Sequence, residues 1–195
     1  MKHTLSAGGG VRDSVIGRVP DDWDITTSAR PEDVKRIFRR TVDTGIEHGT
    51  VTVMIGREGY EVTTFRIDGE YKDSRHPENV EFTASLKEDL KRRDFTINAM
   101  AYNDAEGLID AFNGIADLKK QVIRCVGDPM DRFGEDALRM LRAVRFAAQL
   151  GFSIEEKTRG AIISLAPNLS RISAHTDRAR QTSGFRASRG DAHGI

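Results

Sequence analysis

Two aspartates stand two residues apart in the string Pro20-Asp21-Asp22-Trp23-Asp24-Ile25. On a β-strand, residues i and i+2 face the same side. A strand over 22–26 would therefore aim the carboxylates of Asp22 and Asp24 at one place and turn Trp23 the other way, into the core. Such a pair supplies the hard oxygen ligands that Mg²⁺ takes, and Mg²⁺ keeps part of its shell for substrate phosphates. Two ions about 3.5–4 Å apart stabilise both the attacking and the leaving oxygen of an in-line displacement at phosphorus. Glu61 is a candidate third acid, within reach if its strand neighbours that of Asp22. Taken alone, the pair also reads as the solvated end of a strand, and Glu61 as a surface residue of a hairpin.

Gly8-Gly9-Gly10-Val11-Arg12-Asp13 precedes the pair. Consecutive glycines let a backbone come close to a phosphate, their amides can form an anion-binding nest, and Arg12 would add a charge-assisted contact to a triphosphate. Without the acids downstream, the same residues read as a flexible linker.

These residues need elements to hold them. A short helix over 12–16 ended by Gly17 follows the glycines. Ser28 looks like an N-cap with Pro31 early in the next helix, which would run to about Val42 with Val34, Ile37, Phe38 and Val42 on one face. Residues 50–67 read as a β-hairpin, with arms 50–55 and 60–67 about the turn Gly56-Arg57-Glu58-Gly59. Residues 68–85 are polar and without periodicity, which predicts a long loop. Helix is expected over most of 86–100, a short strand over 122–126, one amphipathic helix over 128–150 ending at Gly151, and a second helix over 154–165. The tail from Ala174 has almost no apolar pattern and is expected to be disordered.

The whole chain of 195 residues has a formal net charge of zero, which argues against a surface that binds nucleic acid everywhere but not against local patches. No apolar run is long enough to span a membrane and the N-terminus lacks a secretory pattern. Cys125 is the only cysteine, so no intrachain disulfide and no cysteine zinc site can form. A reducing, cytoplasmic setting is the expectation.

The strings GGGVRD and GRVPDDWDITTSA, then EVTTFRIDGEYKDSRHP, LKRRDFTINAMAYN and FGEDALRMLRAVRFAAQLGF, stand in this order along residues 8 to about 173. In this they resemble the class II tRNA nucleotidyltransferase and bacterial poly(A) polymerase family. The resemblance implies an α+β fold: a mixed β-sheet head with packed helices over 1–126, a partial all-helical neck over 127–173, and an atypical tail over 174–195. It implies transfer of CMP and AMP from CTP and ATP to the 3′ end of tRNA, with Mg²⁺ held by Asp22 and Asp24 and with Glu61 as accessory acid.

By the same resemblance, Gly9, Arg12 and Arg93 contact the incoming nucleotide, and Asp94 and Asn98 lie near its ribose or phosphates. Asp136, Arg139, Arg142 and Arg145 recur every three residues along one side of the expected helix. There Asp136 would accept from an exocyclic amine and Arg139 would donate to a ring nitrogen or carbonyl oxygen, so the protein would act as template for C and A. Arg142 and Arg145 would hold phosphates or orient that pair. The plain alternative for the helix is a surface ion pair of Asp136 and Arg139, contributing roughly 0.2–0.5 kcal/mol, with Leu138, Leu141 and Val144 as the core face. Arg92 and Arg93 likewise read as a solvated basic face.

Two departures from the family pattern stand out. Only seven residues precede Gly8, and Lys2-His3-Thr4 is a poor core strand, so a strand of the sheet is expected to be missing. The tail after Ser173 resembles no family segment and reads as a truncated or frameshifted end, which puts the grip on intact tRNA in doubt. A bacterial poly(A) polymerase and a nucleotide-binding remnant without catalysis remain as rival functions.

Overall fold

The computed structural model describes residues 3–69 and 79–169. The expected disordered tail and the middle of the loop expected over 68–85 lie outside the described residues. The first half of the chain gives β1 (Thr4–Ala7), α1 (Gly9–Val15), β2 (Asp24–Thr27), α2 (Pro31–Ile37), β3 (Thr41–Gly45), β4 (Thr50–Ile55), β5 (Glu58–Thr64) and β6 (Arg66–Asp68). The second gives β7 (Val80–Phe82), α3 (Leu86–Lys91), β8 (Met100–Asn103), β9 (Gly107–Asp110), α4 (Gly114–Lys120) and β10 (Val122–Ile123). It ends with α5 (Pro129–Glu135), α6 (Leu138–Leu150), β11 (Ser153–Ile154) and α7 (Glu156–Leu165).

Seven strands form one sheet in the order β3-β4-β5-β2-β1-β8-β9. The sheet is mixed: β2 and β5 run parallel, with Ile25 opposite Val62, and the other pairs are antiparallel. The expected loss of a strand before the glycines is corrected by β1, which lies inside the sheet between β2 and β8. Its alternation Thr4-Leu5-Ser6-Ala7 buries Leu5 and Ala7, and the hydroxyls of Thr4 and Thr27 meet at 3.0 Å. Polar residues at 2–4 hid a strand whose apolar positions come one step later.

Other boundaries move too. Asp22 precedes β2, which begins at Asp24. Trp23 is not in the core but lies half exposed against Gly10, where a β-carbon would come within 3.0 Å of the indole. Arg30, not Ser28, precedes α2, because the Ser28 hydroxyl accepts from the His3 amide at 2.9 Å. That helix ends at Ile37, and Val42 sits on β3, an edge strand. The hairpin turn is shorter than expected, with Ile55 opposite Glu58 across Gly56-Arg57. The ends of the expected loop pair as β6 and β7. The expected helix over 86–100 stops at Lys91, gives way to a 3-10 turn at Thr96–Asn98, and becomes strand at Met100.

The helix expected over 128–150 is two helices. Asp136 is extended (φ −138°, ψ 102°) between α5 and α6, and its Oδ1 accepts from the Leu138 amide at 2.9 Å. A short acidic side chain that bonds the following backbone competes with helix continuation. The buried face of α6 is Arg139, Met140, Ala143 and Phe146, while Leu141 and Val144 of the expected core face are 53% and 52% exposed.

Three apolar cores result. One lies under the far strands with Val34, Val51, Val53 and Val62, and a second gathers Leu5, Ala7, Phe65, Leu90 and Val126. The third runs from Val11 on α1 through Phe95, Ile97 and Met100 to Phe133, Met140, Phe146 and Ala161. The C-terminal helices thus share a core with the glycine-turn helix, which fixes α6 opposite the sheet residues of the site. Cys125 lies in this core, and burial pushes its thiol up to about 12.

Candidate active site

A cleft of about 570 Å³ opens where α1, β2, β5, the end of α3, the 3-10 turn and α6 meet. All twelve residues singled out in the sequence line it: Gly9, Arg12, Asp22, Asp24, Glu61, Arg93, Asp94, Asn98, Asp136, Arg139, Arg142 and Arg145. Gly8, Ile25, Thr50, Thr63, Arg66, Arg92 and Phe146 complete the wall.

The parallel pairing of β2 with β5 sets Ile25 against Val62, which brings Glu61 beside Asp24 one residue earlier. A second cavity of about 630 Å³ has Trp23, Tyr60 and Glu58 in its wall and shares Asp22, Asp24 and Glu61 with the cleft. The three carboxylates therefore border both spaces. Burial raises the pKa of Asp24 above the ordinary carboxylate value, Arg93 pulls it down, and the neighbouring Asp22 pushes it up again. Among the described residues, no group of three or more His, Cys, Asp or Glu side chains is gathered closely enough to hold a metal ion by itself. Glu61 stands beside the pair on the neighbouring strand.

The turn that carries Arg93 is built on a residue the sequence reading passed over. Asp89 is fully buried on α3. Its carboxylate accepts from Nε of Arg92 at 2.9 Å, from the Thr26 hydroxyl at 3.1 Å and from the Arg66 amide at 3.2 Å. It also lies 4.0 Å from Nη2 of Arg93. One buried carboxylate so ties α3 to β2, two residues beyond Asp24. Its only trace in the sequence is i,i+3 and i,i+4 spacing to Arg92 and Arg93. Arg92 is accordingly no solvated face. Burial works against the charge of Arg93, and Asp89, Asp24 and Asp94 oppose that effect. The buried Nε of Arg93 has no hydrogen-bond partner.

Across the cleft a chain of polar contacts joins three elements. Arg12 on α1 donates to Asp13 at 2.8 and 2.9 Å and to Oδ1 of Asn98 at 2.8 Å. Asn98 donates to Oδ1 of Asp94 at 3.2 Å, and Arg142 on α6 donates to Oδ2 of Asp94 at 2.6 Å. Next to it, Arg139 is held by Glu135 at 3.1 Å and by the Arg92 carbonyl at 3.4 Å, with Oδ2 of Asp136 3.8 Å from its Nε. Arg132 on α5 also donates to the carbonyls of Arg92 and Arg93. Guanidiniums from α5 and α6 thus dock the C-terminal helices onto the end of α3. Chemically, the cleft combines carboxylates able to hold a divalent cation, several cations for phosphates, and a fixed acceptor and donor pair at Asp136 and Arg139.

A family model, the poly A polymerase head domain, matches residues 5–124. The CCA-adding enzyme of Leuconostoc mesenteroides is 57% identical over 165 residues, which cover 85% of this chain and 41% of that protein. That of Enterococcus faecalis is 58% identical over 166 residues, again 85% of this chain and 41% of the relative. Among solved structures, the Bacillus stearothermophilus CCA-adding enzyme in complex with CTP superposes with a TM-score of 0.78 at 48% identity, over 85% of this chain and 40% of that one. A tRNA nucleotidyltransferase with a primer tRNA and an incoming ATP analogue gives 0.66 at 37% identity, over 87% of this chain and 48% of that one. The chain spans 41% of the length of these curated relatives.

Proposed function

The chain belongs to the family of the poly A polymerase head domain, and from that premise we propose that it transfers CMP and AMP from CTP and ATP to the 3′ end of tRNA. The observation that carries this reading is the meeting of Asp22, Asp24 and Glu61 with the guanidiniums of Arg12, Arg93, Arg139, Arg142 and Arg145 in one cleft, with a second cavity bordering the same carboxylates. Nucleotidyl transfer sets the attacking hydroxyl and the departing pyrophosphate on opposite sides of the α-phosphorus, and two spaces that meet at the same carboxylates leave room for both. The 3′ oxygen of the RNA forms a bond to that phosphorus, the bond from it to the α,β-bridging oxygen breaks, and the hydroxyl proton is lost to solvent as pyrophosphate leaves. Two relatives in the comparisons, crystallised with CTP and with primer tRNA plus an ATP analogue, support both substrates.

Asp22 and Asp24 would hold Mg²⁺. A half-buried carboxylate next to a second one, with a raised pKa, fits a divalent cation that would relieve the repulsion, and Mg²⁺ takes its remaining ligands from water and substrate phosphates. When bound, it supplies a lower pKa for the attacking hydroxyl and neutralises the departing phosphates. Gly9, Arg12 and Arg93 would bind the triphosphate, with Asp94 and Asn98 near the ribose. Asp136 would accept from the amine of C or A and Arg139 would donate to the ring, while Arg142 and Arg145 would hold phosphates or orient that pair. We assign residues 1–126 to the catalytic head and 127–173 to a base-reading neck, and place the protein in the cytoplasm. No helix among the described residues is long and apolar enough to cross a membrane.

The test is incorporation of labelled CTP and ATP, with Mg²⁺, into tRNA lacking its CCA end. C followed by A, without U or G, is the expected result. Untemplated A on generic RNA would instead mark a poly(A) polymerase, and CTP binding without incorporation a nucleotide-binding remnant.

A further inference from the structure

Phe146 on α6 is only 7% exposed, yet its ring forms part of the cleft wall. Three guanidiniums from two helices surround it: Arg12 at 5.2 Å, Arg142 at 5.4 Å and Arg145 at 5.5 Å from the ring centroid. From the core side, Phe95 meets it edge-on at 5.9 Å and 83°. A single cation over an aromatic ring is common. Three around one ring require an account, because like charges crowded together repel one another.

Two of the three are offset by carboxylates. Arg12 pairs with Asp13 at 2.8 Å, and Arg142 with Asp94 at 2.6 Å. Arg145 forms no ion pair or hydrogen bond among the described residues, and its one contact of this kind is with the ring. The ring is therefore the one group Arg145 meets in this way among the described residues, and the cluster retains the charge of one guanidinium without a carboxylate to answer it. Phe146 so does what an acidic residue there could not: it gathers cations without neutralising them, which leaves their charge available to an anionic ligand.

We propose that Phe146 is a positioning residue that holds Arg12, Arg142 and Arg145 in place for the phosphates of the incoming nucleotide. This rests on the nucleotide-transfer reading above. The plain alternative is that Phe146 only fills the third core, which it also does. Shape and electrostatics are separable here, because fluorine atoms on the ring weaken its quadrupole while the side chain keeps nearly the same volume.

The experiment places 4-fluoro-, 3,5-difluoro- and 3,4,5-trifluorophenylalanine at position 146 of the full chain and reads the Kd for CTP and for ATP by calorimetry with Mg²⁺. A trifluoro ring at Phe133, a buried core residue of the same cluster, is the control. The Kd values are expected to climb stepwise with fluorine number, by about three- to tenfold at the trifluoro ring. The Tm and the ratio of CTP to UTP affinity should stay at their native values, and the Phe133 control should bind CTP as the native chain does. A Kd constant along the series, or a rise matched by the Phe133 control, would show that Phe146 only packs. If the native chain binds no CTP, the nucleotide reading itself falls and this inference with it, an outcome distinct from native binding that fluorine leaves unchanged.

Discussion

Gly8 and Arg93 occupy one another's space. A β-carbon built on Gly8 would lie 2.6 Å from Nη1 of Arg93 and 3.3 Å from Oδ2 of Asp24. Gly8 also holds φ 78° and ψ −135°, a region nearly closed to side chains, where occupancy by another residue costs about 1–3 kcal/mol. The glycine is therefore required both by its backbone and by what the guanidinium needs.

Gly8→Ala should show both demands. Backbone strain lowers the Tm, and displacement of the Arg93 head from beside Asp24 lowers nucleotide incorporation beyond what the stability loss explains. Gly17→Ala is the comparison, since Gly17 has φ 76° but nothing within 4 Å of its β-carbon position. It should lose stability and keep kcat/KM per folded molecule. Equal losses of incorporation in both variants would show that the contact with Arg93 is immaterial.

Asp24→Asn and Asp22→Ala should abolish incorporation of CTP and ATP while leaving the far-ultraviolet circular dichroism unchanged. Burial and Asp22 raise the pKa of Asp24 against the pull of Arg93, so its ionised form is disfavoured by folding. The favourable contribution of the protonated acid is present below the unfolded carboxylate pKa and is lost as pH rises through the folded value. Without divalent ions, Asn at 24 should therefore not lower the Tm at pH 7. Turnover in either purified variant would remove these residues from the chemistry.

The ordered motifs made the site legible because they depend on residue type and spacing, and folding brought all twelve residues to one cleft. What supports them was not legible. Asp89 and Phe146 are an acid and an aromatic on helices, of the kind any surface or core would use, and only the fold shows that one ties α3 to β2 and the other gathers three arginines. The break between α5 and α6 was hidden because the apolar period continues through it, while the side chain of Asp136 bonds the Leu138 amide and competes with helix continuation. The expected helix over 86–100 ends early and Met100 opens a strand, because pairing of that strand with β1 and β9 overrides local preference.

Glu155 starts α7, its Oε2 accepting from the Thr158 amide at 2.8 Å and hydroxyl at 2.9 Å, with Arg124 3.1 Å from its Oε1. Burial pushes its pKa up, but the Thr158 bonds and Arg124 outweigh this and hold it below the ordinary value. Its stabilisation is thus present above the unfolded carboxylate pKa and lost as pH falls through the lower folded one. Loss of such a cap costs about 1 kcal/mol, or roughly 2–4 °C in a chain of this size. Glu155→Ala should open that gap in Tm at pH 7, and the gap should close as pH is taken below 4. A gap that ignored pH would mean that the charge contributes nothing.

Base choice rests on Asp136, just before α6, and Arg139, on it, because protein contacts fix both side chains. The carboxylate of Asp136 is oriented by the Leu138 amide, and the guanidinium of Arg139 is only 8% exposed and set by Glu135 at 3.1 Å. A carboxylate accepts at two oxygens and has capacity beyond one amide, so it can meet the amine that C and A carry and that U and G do not present at the same position. Hydrogen bonds to a charged group are worth about 1.5–3 kcal/mol, which corresponds to roughly a tenfold to hundredfold preference. Asp136→Ala should therefore raise UTP and GTP incorporation relative to CTP and ATP by about that factor. Glu135→Gln, which weakens the contacts of Glu135 with both Arg139 and Arg132, should relax the choice less. Competition among all four labelled nucleotides reads both effects in one assay, and ratios unchanged from the native chain would place base selection somewhere other than Asp136 and Arg139.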